Sequence, residues 1–194
     1  MRKRRTVILL GALCLVAASA VSAAAQSKQY VQGQVVGIGS GRAGLNRSFS
    51  LTINNYSTAD DVQRLNEALR TGGQEELLSL LSKLNAGRVS IGNNVGVRAN
   101  AVIATPAAEG GTKLTVLFER DVAIFERRYG TRSQDYRFGY AEIYLDARGR
   151  GQGTFIPAAK VKLEGDNNWV VEDFGEFPAR LLGLRSTGRV GGAR

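Results

Sequence analysis

Residues 48–54 read SFSLTIN, in which Phe49, Leu51 and Ile53 alternate with Ser50, Thr52 and Asn54. That period of two belongs to a half-buried strand. Residues 29–38, QYVQGQVVGI, read as a second strand ahead of it. The period then changes. Thr58 can cap a helix, and Asp61 three positions on completes a capping box. Val62, Leu65, Ala68 and Leu69 fall on one helical face before Gly72-Gly73 breaks the run. A second helix opens on Glu75 and Glu76, whose charges suit the positive end of its dipole, and ends near Lys83. Leu77, Leu80, Leu81 and Leu84 form its apolar stripe. Two short amphipathic helices with a break of two or three residues predict an αα-hairpin. From Gly87 the alternation returns, with strands predicted over 88–91, 95–104, 113–119, 136–146, 153–164, 169–172 and 180–185. Pro157 marks a bulge or an edge in the fifth of these. The expected fold class is α+β: an antiparallel β-barrel or sandwich of about seven to nine strands, with one αα-hairpin inserted between the second and third.

Between the first two strands, GIGSGRAG contains a G-x-G-x-x-G at Gly39, Gly41 and Gly44. A dinucleotide loop needs a helix starting at the third glycine, so that its free amides hold the pyrophosphate. Here Leu45, Asn46 and Arg47 lead directly into a strand. The glycines therefore supply turn conformations, and no nucleotide cofactor is expected.

The other end of the composition concerns export. Arg2, Lys3, Arg4 and Arg5 precede an apolar run from Val7 to about Ala18 and the small residues 19–25. This is the layout of a secretory signal peptide, with cleavage expected after Ala25 in an A-x-A context. Arg4-Arg5 also fits a loose twin-arginine pattern. Leu13 before Cys14 argues against a lipoprotein site. Processing would leave 169 residues, one domain with a core of ordinary size. Four of the 26 basic residues and none of the 17 acidic ones would leave with the leader, lowering the net charge from +9 to +5. Cys14, the single cysteine, would leave too. The expected organisation is a signal peptide over 1–25, a single α+β domain over 26–186 and a disordered basic tail over 187–194, with no transmembrane segment in the processed chain and a periplasmic or extracellular location.

Histidine is absent from the chain. That excludes a histidine general base, a Ser-His-Asp triad and His- or Cys-ligated metal centres. Carboxylate, lysine or tyrosine chemistry and oxygen-ligand metals stay open. The acids at 60–61 and 75–76 serve as dipole partners in the first turns, so no metal site is expected.

One stretch concentrates chemistry. DYRFGYAEIYLD, residues 135–146, sets Tyr136, Phe138, Tyr140, Glu142 and Tyr144 on one strand face, against Arg137, Gly139, Ala141, Ile143 and Leu145 on the other. The second face is ordinary core. Four aromatics on the first would present about 600 Å² or more if bare, at or above what a soluble monomer tolerates. The helical hairpin covers them, a ligand or partner protein does, or they are simply exposed. Glu142 among them would have its carboxyl raised unless an arginine or several donors met it, and Arg127, Arg128 and Arg132 are the arginines near it in sequence. The candidate binding residues are Arg132, Asp135, Tyr136, Phe138, Tyr140, Glu142 and Tyr144. A paired-carboxylate hydrolase would need a second acid about 5–9 Å from Glu142, for which Asp135, Asp146, Glu126 and Asp173 are formally available.

Arginines at 42, 47, 127, 128, 132, 148 and 150 are interleaved with acids along the chain. That reads as scattered surface charge, with no nucleic-acid partner expected. The net positive charge would still attract anionic envelope polymers or lipids. Asn46-Arg47-Ser48 and Asn55-Tyr56-Ser57 are glycosylation sequons that matter only on a eukaryotic secretory route.

The segment RSFSLTINNYSTADDVQRLNEALRTGGQEELLSLLSKLNAGRVS, with RSQDYRFGYAEIYLDARGRGQG, AAKV and FGEFPARLLGLR in the same order, resembles a family of secreted proteins of soil bacteria, especially acidobacteria. The likeness covers most of the chain after residue 25. It implies a single extracytoplasmic domain and carries no activity, ligand or catalytic residue. The expectation is an exported, non-catalytic domain that binds a small ligand or an envelope protein. A carboxylate-dependent hydrolase and a purely structural envelope protein are the alternatives.

Overall fold

The computed structural model describes residues 28–37, 46–120, 135–165, 168–173 and 178–187. The leader, the glycine loop, Glu126, the three arginines at 127, 128 and 132, and residues 188–194 of the tail lie outside them.

Among the described residues the chain forms ten strands: β1 (Gln29–Val36), β2 (Asn46–Ile53), β3 (Gly87–Ile91), β4 (Val97–Ala99), β5 (Ala101–Pro106), β6 (Thr112–Glu119), β7 (Phe138–Leu145), β8 (Arg150–Glu164), β9 (Asn168–Asp173) and β10 (Ala179–Thr187). A helical segment, α1 (Ala59–Leu81), stands between β2 and β3. The strands make one antiparallel sheet in the order β4-β3-β2-β1-β10-β8-β7-β6-β5, with β9 added on β8. β1 pairs with β2, Val36 lying opposite Asn46, so the glycine loop is flanked by two neighbouring strands and not by a strand and a helix.

Two expectations change in detail. The helical pair is one continuous span whose backbone leaves helical geometry at Gly73 (φ 63°, ψ −142°), within the glycine pair that was to separate two helices. Glycine reaches that conformation without a Cβ clash, so the chain kinks there and goes on. The strand expected over 95–104 is split at Asn100 into β4 and β5, which raises the number of strands to ten. These two stand at opposite ends of the sheet order, yet no ladder joins them. Pro157, by contrast, sits where foreseen: the β7–β8 register slips by one residue between Phe138↔Ala159 and Tyr140↔Ile156.

Alternate residues explain both layers. Val31, Leu51, Val89, Val116, Ile143, Phe155 and Leu181 point to one face and join a single cluster with members from β1 to β8 and β10. α1 contributes nothing to that cluster, although Val31, Leu51, Val116, Ile143 and Leu181 are fully buried. The sheet must therefore fold over and cover its own inner face, as in a sandwich. α1 instead lies on the outer face. Its Leu65, Leu69, Leu77, Leu78 and Leu81 pack with Ala101, Leu117, Phe138, Tyr140, Ile156, Ala159 and Val161 of β5 to β8.

Polar groups pin α1 in place. The capping box is formed, with Thr58 Oγ1 accepting from Asp61 N and Asp61 accepting from Thr58 N. Next to the kink, the Gln74 side-chain amide both donates to the Val161 carbonyl and accepts from the Val161 N–H. β7 pairs with β8 only as far as Ala159, so Gln74 satisfies backbone groups of β8 that β7 does not reach. Trp169 Nε1 of β9 donates to Oδ1 of the buried Asn66. The outer residues of β4, β3, β2, β1 and β10 have no such cover among the described elements. No helix of the described residues is long and apolar enough to cross a membrane.

Candidate functional site

The aromatic face of β7 is divided by α1. Phe138 is fully buried and Tyr140 is 7% exposed, both inside the helix-covered cluster. Tyr144, at the far end of the strand, is 45% exposed. Glu142 lies between the two tyrosines and is half-buried.

Register explains what meets Glu142. β6 runs antiparallel to β7 with Thr115 opposite Glu142 and Lys113 opposite Tyr144. Lys113 is thus the diagonal neighbour of Glu142, within reach of a long side chain. Its Nζ lies 2.6 Å from Glu142 Oε2 and 5.6 Å from the centre of the Tyr144 ring. Tyr140 donates its phenol to Oε2 at 3.0 Å, and Tyr144 donates to Oε1 at 2.7 Å. The cation foreseen from the 127–132 arginines is therefore supplied by Lys113. Sequence reading missed this residue because proximity along the chain does not reveal cross-strand register. Its only sequence signal is an alternation, KLTVLFE, that puts Lys113 and Thr115 on one face.

The electrostatics follow from this geometry. Burial by itself would push the Glu142 carboxyl up, but hydrogen bonds from Lys113, Tyr144 and Tyr140 outweigh it and hold the group below its usual value. Burial would likewise depress the Lys113 ammonium, and the Glu142 bond raises it instead. The Tyr140 phenol is driven well above its ordinary range by burial and by the adjacent carboxylate. Glu142 is thus an ionised acceptor with three donors already in place. A carboxyl kept ionised cannot serve as a proton donor near neutral pH.

A pH dependence follows. With its folded value lowered, Glu142 contributes stability that is fully present above the ordinary glutamate value of 4.5 and is lost as pH falls through the lowered one. The melting temperature is expected to drop on acidification below about pH 5. Glu142→Gln should lessen that drop without removing it. Asp61, held down first by the Thr58 backbone bond, and Glu172, held down first by Lys162, titrate in the same direction. An unchanged acid slope in Glu142→Gln, followed by circular dichroism, would refute the carboxylate's assigned state.

Other candidate residues are placed elsewhere. Tyr136 precedes β7 and belongs to a separate network, donating to Glu172 Oε1 at 2.8 Å while Lys162 Nζ lies 2.6 Å from Oε2. Its carbonyl accepts from Arg120 Nε at 2.9 Å. Asp135 is exposed. Arg132 lies outside the described residues. Among acids proposed as a second carboxylate, Asp146 is engaged in its own turn, where Oδ1 accepts from the N–H groups of Arg148 and Arg150. The structure therefore gathers Tyr140, Glu142 and Tyr144 with Lys113, and separates Tyr136 from them.

Beyond Tyr144 the outer face continues as polar sheet. Gln152 of β8 lies opposite Tyr144, and Thr154 opposite Glu142. Arg180 of β10 follows opposite Thr154. On β1 and β2 the outward residues include Gln32, Gln34, Ser48 and Ser50, with Gln32↔Ser50 and Gln34↔Ser48 as direct pairs. Tyr30, 38% exposed, is the large aromatic of that half. Neither known protein families, nor curated proteins, nor solved structures provide a match to this chain, so its geometry alone carries the functional reading.

Proposed function

We propose that this chain is an exported, non-catalytic binding domain of the cell envelope, which holds a ligand or partner against the part of its sheet that α1 leaves bare. One observation carries the reading. The outer face is sealed by leucines over β5 to β8 and is open and polar from Tyr144 across β8, β10, β1 and β2. A face of hydroxyl, amide and guanidinium groups carried on paired strands is pre-organised for binding, because little loop ordering is left to complete. Export is supported by the pattern of residues 1–25 and by the resemblance to secreted proteins. In the same reading the folded-over sheet is a barrel left unlaced between β4 and β5, with Asn100 standing in both of its ends.

Paired-carboxylate hydrolysis draws no support from the site. Glu142 is held ionised by three donors, which removes it from the general-acid role, and Asp146, a candidate for its partner, is engaged in its own turn.

The test is a pelleting assay. Purified protein mixed with insoluble envelope material should be retained saturably, with no soluble sugar or peptide released. Tyr144→Ala, at the border of the bare face, should be retained less. Protein left in the supernatant at every load would place it among purely structural proteins, and steady release of soluble product would make it an enzyme.

A further inference from the structure

Along the chain the charges are mixed, but among the described residues they are sorted in space. The five strands β4, β3, β2, β1 and β10 are consecutive in the sheet, and none contains an aspartate or a glutamate. They carry Arg47, Arg88, Arg98, Arg180 and Arg185. The acids of the described residues lie in α1, in β6 to β9 and in the turns between strands.

Register brings four of these cations into opposed pairs. Arg88 of β3 lies directly opposite Arg98 of β4. Arg185 of β10 lies directly opposite Arg150, at the start of β8. All four are exposed. Like charges at directly opposed positions destabilise a sheet. No carboxylate among the described residues forms a salt bridge with any of the four guanidinium groups, although Asp146 accepts from the backbone N–H of Arg150. Arg88 Nη1 donates to the carbonyls of Val95 and Gly96, and Arg98 Nη1 to that of Ser82. Those bonds hold the guanidinium groups while leaving most of their five donors unused. Arginines set at opposed, exposed register positions with no salt bridge to a carboxylate are a local inconsistency of the kind expected at a functional surface.

Between the two pairs run β1 and β2. Gln32, opposite both Arg185 and Ser50, continues to Ser90, and Tyr30, opposite both Thr187 and Thr52, continues to Arg88. The distance from β10 to β3 is about 15 Å at ordinary strand spacing.

We infer that this acid-free face binds an acidic polysaccharide, the Arg150–Arg185 and Arg88–Arg98 pairs taking its carboxylate or sulfate groups and the serine, threonine and glutamine rows taking its hydroxyls. Each guanidinium can match such an oxyanion bidentately. The exposed large apolar residues on and around the face are dispersed, Tyr30 on β1, Tyr144 at its border and Val95 and Val97 by β4, which gives neither a continuous patch to enter a bilayer nor a row of rings to stack successive bases. The inference rests on the binding reading proposed above and names its ligand class and surface.

The test uses polygalacturonate as the probe, with dextran, phosphatidylglycerol vesicles and poly(U) alongside. The wild-type protein should bind polygalacturonate with an affinity that falls as salt rises, and should ignore dextran. Arg150→Gln/Arg185→Gln and Arg88→Gln/Arg98→Gln should each weaken binding by about fivefold or more at low salt, while the melting temperature stays level or rises. The charge-matched variant Arg64→Gln/Arg70→Gln, on α1, should bind within about twofold of wild type. Equal losses in all three variants would reduce the effect to net charge and overturn the inference. Vesicles or poly(U) bound as tightly, with the same arginine dependence, would overturn it in favour of lipid or nucleic acid. Retention on envelope material without polygalacturonate binding would overturn the ligand and leave the binding reading standing, and retention on neither would remove both.

Discussion

Replacing Asn100 by alanine is expected to destabilise the fold by about 3 kcal/mol, as a loss of roughly 10 °C in melting temperature. The residue is 3% exposed and stands between β4 and β5, where the chain passes from one end of the sheet order to the other. Its Nδ2 donates to the carbonyls of Leu81 at 3.0 Å and Leu84 at 3.3 Å, just where α1 ends and its last carbonyls lack helical partners. Its Oδ1 accepts from Glu119 N of β6 at 3.0 Å. One amide thus ties the helix terminus to both ends of the sheet. Alanine would remove the partly buried bonds to the Leu84 carbonyl and the Glu119 N–H and leave the Leu81 carbonyl only the Leu84 N–H, and polar groups left unpaired cost more than the bonds themselves contributed. Asn100→Asp should be no milder, because it keeps the acceptor but sets a charge against two carbonyls. Denaturant unfolding that places Asn100→Ala within about 0.5 kcal/mol of wild type would show that the junction is held by other contacts.

Tyr140→Ala and Tyr144→Ala, two substitutions of the same chemistry on the same strand face, should diverge. The first removes a ring that is 7% exposed and packed with the α1 leucines, and should cost about 3 kcal/mol. The second removes a ring that is 45% exposed and one hydrogen bond to Glu142, and should cost less than about 1 kcal/mol. Tyr140→Phe separates the two contributions at position 140, since it keeps the packing and loses only the bond to Glu142. Similar losses for the two alanine variants would mean that α1 does not divide this face as described.

The divergence explains why an aromatic stripe is hard to interpret from sequence. Periodicity shows that 138, 140, 142 and 144 share a face. It does not show how far a covering element extends along that face. Here the cover stops between Tyr140 and Glu142, because the α1 leucines reach β7 only near Phe138 and Tyr140. A single stripe therefore contains core at one end and surface at the other.

Glu142 makes the same point for charge. A desolvated carboxylate among aromatics calls for a cation, and that much follows from solvation alone. Which cation answers depends on strand register, and the register sets Lys113, 29 positions away in sequence, diagonally across the ladder. The arginine face is the larger instance. Along the chain Arg88 and Arg98 are separated from Arg150, Arg180 and Arg185 by more than fifty residues, and of the five only Arg150 is among the arginines read as scattered surface charge. They become neighbours because β10 inserts between β1 and β8, and because β3 and β4 extend the sheet beyond β2.

Local patterns by themselves determined the strand and helix periods, the capping box at Thr58, the break at Gly72-Gly73, the bulge at Pro157 and the insertion of helix between the second and third strands. Each of these follows from a few neighbouring residues acting through backbone geometry and the side-chain period. Tertiary structure alone decided that the helical span kinks without separating, that Asn100 divides one strand into two, that Lys113 meets Glu142, and that the arginines converge on an acid-free face. Those outcomes depend on which strands become neighbours and in what register, and pairing energies between distant segments, not the residues adjacent in sequence, set both.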